Sequence, residues 1–172
     1  MLGIFIEPEG KLKKFIIRWK YKIRKNYTNT NYVNHPTHST IYTANLKNKK
    51  KVIIEIREVL KNFKSFKIKI NKTDIFFNDK FTNKDTIYLN IKKNKKIYIL
   101  QKKIAEKLKI FRKKDNLKNK KFFDTNLKNS FKKYGFPFVG SHWKPHFTIG
   151  SIKDFAKKKD FRKFIKKKIN FE

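Results

Sequence analysis

The sequence contains two matching stretches, His38-Ser39-Thr40-Ile41 and His146-Phe147-Thr148-Ile149, and both read His-x-Thr-Ile. The chain has only 4 His, and two of them carrying Thr at the same offset is expected by composition roughly 2 times in 100. In a strand, residues i and i+2 project from one face about 6.6 Å apart. Each stretch therefore predicts a strand that presents an imidazole and a hydroxyl side by side.

Apolar periodicity on both sides of these stretches predicts alternating strands and helices. Strands are predicted over Leu2 to Glu7, His38 to Ala44, Phe66 to Ile70, Asp74 to Phe77, Thr86 to Ile91 and His146 to Ser151. Helices are predicted around Leu12 to Ile23, Val52 to Phe63, Ile97 to Phe111, a short stretch ending at Gly135, and Phe155 to Ile165, with an exposed loop from Lys113 to Lys121. The closely spaced strands favour an antiparallel α+β fold, and no glycine-rich nucleotide-binding motif is present.

Composition restricts the possible partners and chemistry. The net charge of +34 makes nucleic acid the first partner to test, although an A/T-rich coding sequence would also favour Lys, and only 5 of the 47 cations are Arg. The absence of Cys excludes disulfides, zinc-thiolate sites, iron-sulfur clusters and thiol nucleophiles. No apolar run approaches the roughly 20 residues of a membrane span, so we expect a cytoplasmic protein without a membrane partner.

Two imidazoles and two Thr hydroxyls that converge would suit a phosphate group. The hydroxyls donate to non-bridging oxygens, while one neutral and one protonated His supply a base and an acid near neutral pH. Two alternatives stay open. Each His could instead be satisfied by a backbone partner in its strand, or could bind a metal, although no HExxH motif and no carboxylate cluster flanks either motif.

Paired His-x-Thr-hydrophobic motifs about a hundred residues apart, the second preceded by Pro145, resemble the two-histidine (2H) phosphoesterase superfamily. This superfamily includes the RNA 2′,3′-cyclic phosphodiesterases, also called 2′-5′ RNA ligases, and the resemblance covers most of the chain. The length of 172 residues predicts one domain over residues 1–172. The resemblance implies that the α+β fold forms two pseudo-symmetric lobes, each an antiparallel sheet with flanking helices, around a central cleft. It also implies that the cleft holds no metal and no cofactor.

The resemblance implies site residues as well. His38 and His146 would be the catalytic acid and base, in an order left open, and Thr40 and Thr148 would bind phosphate. Family members usually continue beyond the final helix with further strands, whereas this sequence ends at Glu172, soon after the last predicted helix. We therefore expect that the second lobe either lacks an edge strand or receives one from another chain. We otherwise expect a monomer.

Four further residues are candidates for substrate contact. They are the aromatics Trp143 and Tyr42, which could instead pack in the core, and the loop residues His142 and His35, which could simply be exposed. The predicted function is a metal-independent phosphodiesterase for 2′,3′-cyclic phosphate or 2′-5′ linkages in RNA or small nucleotides. The alternatives are a non-catalytic basic RNA-binding protein and a 2H enzyme for a small metabolite such as an ADP-ribose cyclic phosphate.

Overall fold

The computed structural model describes residues 1–113, 124–158, 164 and 169–172, and within them the chain alternates strands and helices. The strands are β1 (Leu2–Ile6), β2 (Ser39–Ala44), β3 (Ile70–Asp79), β4 (Lys84–Ile91) and β5 (His146–Ile152), and the helices are α1 (Gly10–Asn26), α2 (Lys49–Lys61), α3 (Lys95–Leu108) and α4 (Thr125–Tyr134). Most of the loop predicted over Lys113 to Lys121, and Phe161 and Ile165 of the last predicted helix, lie outside the described residues.

The strands form two sheets, as the α+β prediction requires. One sheet pairs β1 with β2, and the other has the order β3-β4-β5 with both pairs antiparallel. The separate strand predicted over Phe66 to Ile70 is wrong. The ladder between β3 and β4 begins at the pair Ile70 and Ile91, so the residues before Ile70 extend past the end of β4. The end of the short helix α4 agrees with the prediction, because Gly135 caps it at φ +71°.

The three-stranded sheet has one apolar face that packs on α1. Ile87, Leu89, Phe147 and Ile149 are buried on this face. A Cβ at Gly150 would lie only 2.9 Å from Val33 Cγ1 and 3.4 Å from Ile23 Cδ1, so a glycine there permits the close approach of helix and strand. Because side chains alternate along a strand, the other face carries the residues that flank these positions, including His146 and Thr148.

The chain divides into two compact units. The first unit comprises Met1–Phe5, Thr40–Phe66 and Lys93–Lys144, and the second comprises Ile6–Ser39, Lys67–Lys92 and Pro145–Glu172. A central cleft and a single domain over residues 1–172 remain predictions. In the described part of the chain, no helix has the length and apolar character needed to cross a membrane.

Inside the first unit, a buried amide fixes the chain that leads toward the second motif. Gln101, on α3, is fully buried and donates to the carbonyl oxygens of Ile41 at 3.3 Å and Phe138 at 2.8 Å. Its own carbonyl accepts from the backbone N–H of Gly140 at 3.0 Å. One side chain therefore joins β2 to the segment 138–140 and satisfies its polar atoms while buried.

Candidate active site

The second motif lies at the start of β5, where the sequence analysis predicted a strand. His146 pairs in register with Asn90, and Thr148 pairs with Tyr88. Both motif side chains are partly exposed, whereas Phe147 and Ile149 between and beyond them are buried. The imidazole and the hydroxyl thus project from the same face of the sheet, opposite the face that packs on α1.

Two aromatic rings from neighbouring strands contact the His146 imidazole. The ring centroids of Phe76 and Tyr88 lie 5.2 Å and 5.1 Å from it, and Phe76 stacks on Tyr88 at 4.1 Å. Burial, together with the Asp74 carboxylate, raises the pKa of Tyr88, so this phenol stays protonated and neutral. The rings restrict the orientation of the imidazole. Sequence spacing does not reveal the contact between Phe76 and His146, because it depends on the register of strands that are distant in sequence.

The first motif begins just outside a strand. β2 starts at Ser39 rather than at His38, so the predicted strand boundary is wrong by one residue. His38 is partly exposed, and its Nδ1 lies 2.9 Å from the carbonyl oxygen of Pro36. A carbonyl only accepts, so Nδ1 carries the hydrogen and the neutral ring has its lone pair on Nε2. This tautomer is the one that a base acting through Nε2 requires.

A buried lysine holds the turn that precedes His38. Lys20 is 6% exposed, and its ammonium donates to the carbonyl oxygens of Tyr32 at 2.7 Å and His35 at 2.9 Å. Burial lowers the pKa of Lys20 to about 8. Lys20 is not among the residues predicted for the site, but the sequence carries a signal for it: Lys20 falls between Ile16 and Ile23 on the apolar stripe of α1, where a solvated lysine is not expected.

Trp143 connects the first motif with the segment that leads into the second. Its indole Nε1 donates to the carbonyl oxygen of Thr40 at 2.9 Å, and its ring meets Tyr98 edge to face at 5.4 Å. Trp143 is 5% exposed, so it has little free surface on which a base could stack. The structure therefore favours the packing role over the stacking role that the sequence also allowed.

The family model described as the 2′-5′ RNA ligase superfamily matches residues 8–169, a span that includes both His-x-Thr motifs.

The chain belongs to the 2′-5′ RNA ligase superfamily. Membership confirms the resemblance to 2H phosphoesterases and supports an enzyme of the phosphoesterase or ligase type. No curated protein matches the chain.

The remaining candidate residues fall into two groups. Tyr42 is fully buried, and its hydroxyl donates to the carbonyl oxygen of Tyr134, with burial raising the pKa of Tyr42 to about 12. Tyr42 is therefore a core residue rather than part of an open site. His35 and His142 are exposed, the former against the Tyr32 ring at 5.4 Å and the latter in a short 3₁₀ helix, Gly140–His142.

The eight candidate site residues are divided equally between the two units. His35, His38, His146 and Thr148 belong to the second unit, and Thr40, Tyr42, His142 and Trp143 belong to the first. Within the described residues, no group of three or more His, Asp or Glu side chains is arranged to hold a metal ion. The two histidines on which the predicted chemistry depends are thus in the same unit, and Thr40 follows His38 by two residues.

Proposed function

We propose that this protein is a metal-independent phosphodiesterase that opens 2′,3′-cyclic phosphate ends of RNA, with 2′-5′ linkages as a second substrate of the same chemistry. The observation that carries the proposal is the pair of His-x-Thr motifs in a chain of the 2′-5′ RNA ligase superfamily, with His146 and Thr148 on one face of β5. Histidines are suited to proton transfer near neutral pH, and hydroxyls are suited to the non-bridging phosphate oxygens.

The tautomer of His38 suggests how the two histidines divide the work. Nε2 of neutral His38 takes a proton from water while the water oxygen attacks phosphorus. The bond between phosphorus and one sugar oxygen breaks, and protonated His146 gives its proton to that oxygen. The product is a phosphomonoester beside a free hydroxyl. The hydroxyls of Thr40 and Thr148 donate to the non-bridging oxygens as their negative charge grows.

Three other side chains act as positioning residues in this proposal. Lys20 holds the turn before His38, Trp143 holds the backbone of Thr40, and Phe76 limits the rotation of His146. None of these needs to contact the substrate. Each would act by keeping a reacting group in place, because small displacements of such groups lower rates steeply.

Turnover of a 2′,3′-cyclic mononucleotide by single-residue variants tests the proposal. His38→Ala and His146→Ala are each expected to lower kcat/KM by about 10² to 10⁴, the usual contribution of one proton-transfer group. His35→Ala and His142→Ala are the comparison variants: both side chains are exposed and are candidates only for substrate contact, so each should lose far less turnover than the motif variants. Near-normal turnover in either folded motif variant would overturn the two-histidine mechanism.

Chelation is a second and independent test. The proposed chemistry uses only imidazoles and hydroxyls, so turnover should survive prolonged treatment with EDTA. Loss of turnover on chelation, with recovery on adding one divalent ion and not on buffer exchange alone, would favour a metal mechanism instead.

A further inference from the structure

A groove of about 340 Å³ runs along one side of α1, in the second unit. It is lined by four cations and three aromatic rings: Lys11, Lys14, Phe15, Arg18, Trp19, Lys22 and Phe171. None of these residues belongs to the candidate active site. Among the described residues that line it there is no carboxylate, so this lining combines positive charge with ring surface.

Helical spacing builds this groove. Lys11, Phe15, Arg18 and Lys22 follow one another at intervals of three or four residues, which places them on one stripe of α1. Apolar neighbours in turn anchor the rings. Phe15 meets Phe171 edge to face at 5.3 Å.

Trp19 is the main aromatic element of the groove. Its ring meets Phe164 edge to face at 4.4 Å, and the Lys22 ammonium lies 5.1 Å from the ring centroid. Trp19 remains partly exposed, in contrast with the buried Trp143. An indole that is fixed on one side, partly open to solvent and next to cations is suited to stack a base whose phosphate is held nearby.

The acidic group at the end of the described chain does not neutralise the groove. Glu172 follows Phe171, but its carboxylate oxygens lie 3.8 Å and 3.6 Å from the ammonium groups of Lys67 and Lys69, outside the lining. The four lining cations therefore face the groove without a carboxylate from the described part of the chain beside them. A ligand with several negative charges and flat apolar surfaces complements such a lining.

We infer that this groove binds single-stranded RNA, with a base against Trp19 and adjacent phosphates on Lys11, Lys14 and Arg18. The volume suits about one nucleotide, since small-molecule sites begin near 300 Å³. The preference for RNA over single-stranded DNA rests on the proposed function. The assignment of the groove as a site for single-stranded nucleic acid rests only on its lining. The groove would make the protein act on the ends of RNA chains in preference to cyclic mononucleotides.

A matched pair of charge-reversal variants tests the inference. The groove variant is Lys11→Glu, Lys14→Glu and Arg18→Glu, and the control is Lys49→Glu, Lys50→Glu and Lys51→Glu on the exposed first turn of α2. The two variants change net charge equally. Binding of a labelled ten-nucleotide RNA with a 3′-hydroxyl end, which is not a substrate, is followed by fluorescence anisotropy at several salt concentrations.

The groove variant should lose at least 10-fold in affinity, and its slope of log K against log salt should become shallower by about 2, because three phosphate contacts contribute about 0.7 each. The control should keep the wild-type slope. Equal loss in both variants would overturn the inference, since it would show that RNA responds only to total charge. Competition by a ten-residue polyglutamate as effective as that of RNA would overturn it as well.

Tryptophan fluorescence provides a readout that charge alone does not move. The chain has only 2 Trp, and Trp143 is buried, so RNA should quench Trp19. Trp19→Phe keeps an aromatic ring against Phe164 and should abolish the quenching; quenching that persists would contradict stacking on Trp19.

Turnover of a cyclic mononucleotide by the same proteins separates the two proposals. Normal mononucleotide turnover with weakened RNA binding in the groove variant supports the groove. RNA binding that depends on the groove in a wild-type protein without phosphodiesterase activity would remove the proposed function and leave the groove standing. If the wild-type protein turns over the mononucleotide but the two variants bind RNA equally, the groove proposal is removed and the proposed function stands.

Discussion

Trp143→Phe tests whether the indole holds the first motif in place. The substitution removes the donor that lies 2.9 Å from the Thr40 carbonyl oxygen and trims a side chain that is 5% exposed. Loss of one hydrogen bond at a buried group costs about 1 to 3 kcal/mol, and the small cavity adds about 1 kcal/mol. We therefore expect the free energy of unfolding to fall by about 3 kcal/mol, which lowers Tm by about 6 to 12 °C in a protein of this size.

The same substitution should affect turnover. If the Thr40 backbone shifts, the proposed contact between its hydroxyl and the phosphate is lost, and kcat/KM for a cyclic mononucleotide should fall 10-fold or more at a temperature where the variant is folded. Phe131→Leu is the control, because Phe131 is buried in the same unit but belongs to neither motif. Urea unfolding and initial rates measure both quantities. A Trp143→Phe variant that is as stable as wild type, or a control that loses as much turnover, would refute the reasoning.

Three further predictions concern neighbouring residues. Burial lowers the pKa of Lys20 from 10.5 to about 8, so between these pH values the unfolded chain binds more protons than the folded chain. The stability of wild type relative to Lys20→Met should therefore rise as pH increases from about 8 to 10.5. A stability difference in urea unfolding that stays constant over this pH range would contradict the prediction. Ser39 Oγ is buried and makes no hydrogen bond with any described residue, so Ser39→Ala should leave the stability in thermal unfolding unchanged or raise it by about 1 kcal/mol. A clear loss of stability would show that the hydroxyl has a hydrogen-bond partner. Phe76→Ala should lower kcat for a cyclic mononucleotide about 10-fold, and Phe76→Tyr, which keeps the ring beside His146, should restore it; equal rates in both would exclude a positioning role.

Local patterns in the sequence were enough to predict most of the secondary structure. The alternation around His146 predicts β5, and Gly135 predicts the end of α4, because each signal depends only on adjacent residues. The strand predicted before Ile70 failed for the opposite reason. Its alternation is real, but a strand also needs a partner, and the β3–β4 ladder begins only at Ile70.

The candidate site was also predictable from the sequence only in part. The histidines and threonines of the two motifs are visible in the sequence because their spacing repeats. Lys20, Phe76 and Trp143 take their proposed roles from contacts between segments far apart in sequence, such as the indole of Trp143 and the carbonyl of Thr40. Trp143 also shows that residue type alone does not separate a stacking surface from a packed ring, since its burial decides the matter.

The dependence of kcat/KM on pH tests the division of labour between the two histidines most directly. The wild-type protein should give a bell-shaped profile for a 2′,3′-cyclic mononucleotide, in which the acidic limb reports loss of the base and the basic limb reports loss of the acid. His38→Ala should remove the acidic limb, because His38 is held in the tautomer with a lone pair on Nε2, and His146→Ala should remove the basic limb. A profile that keeps both limbs in either folded variant would contradict the account.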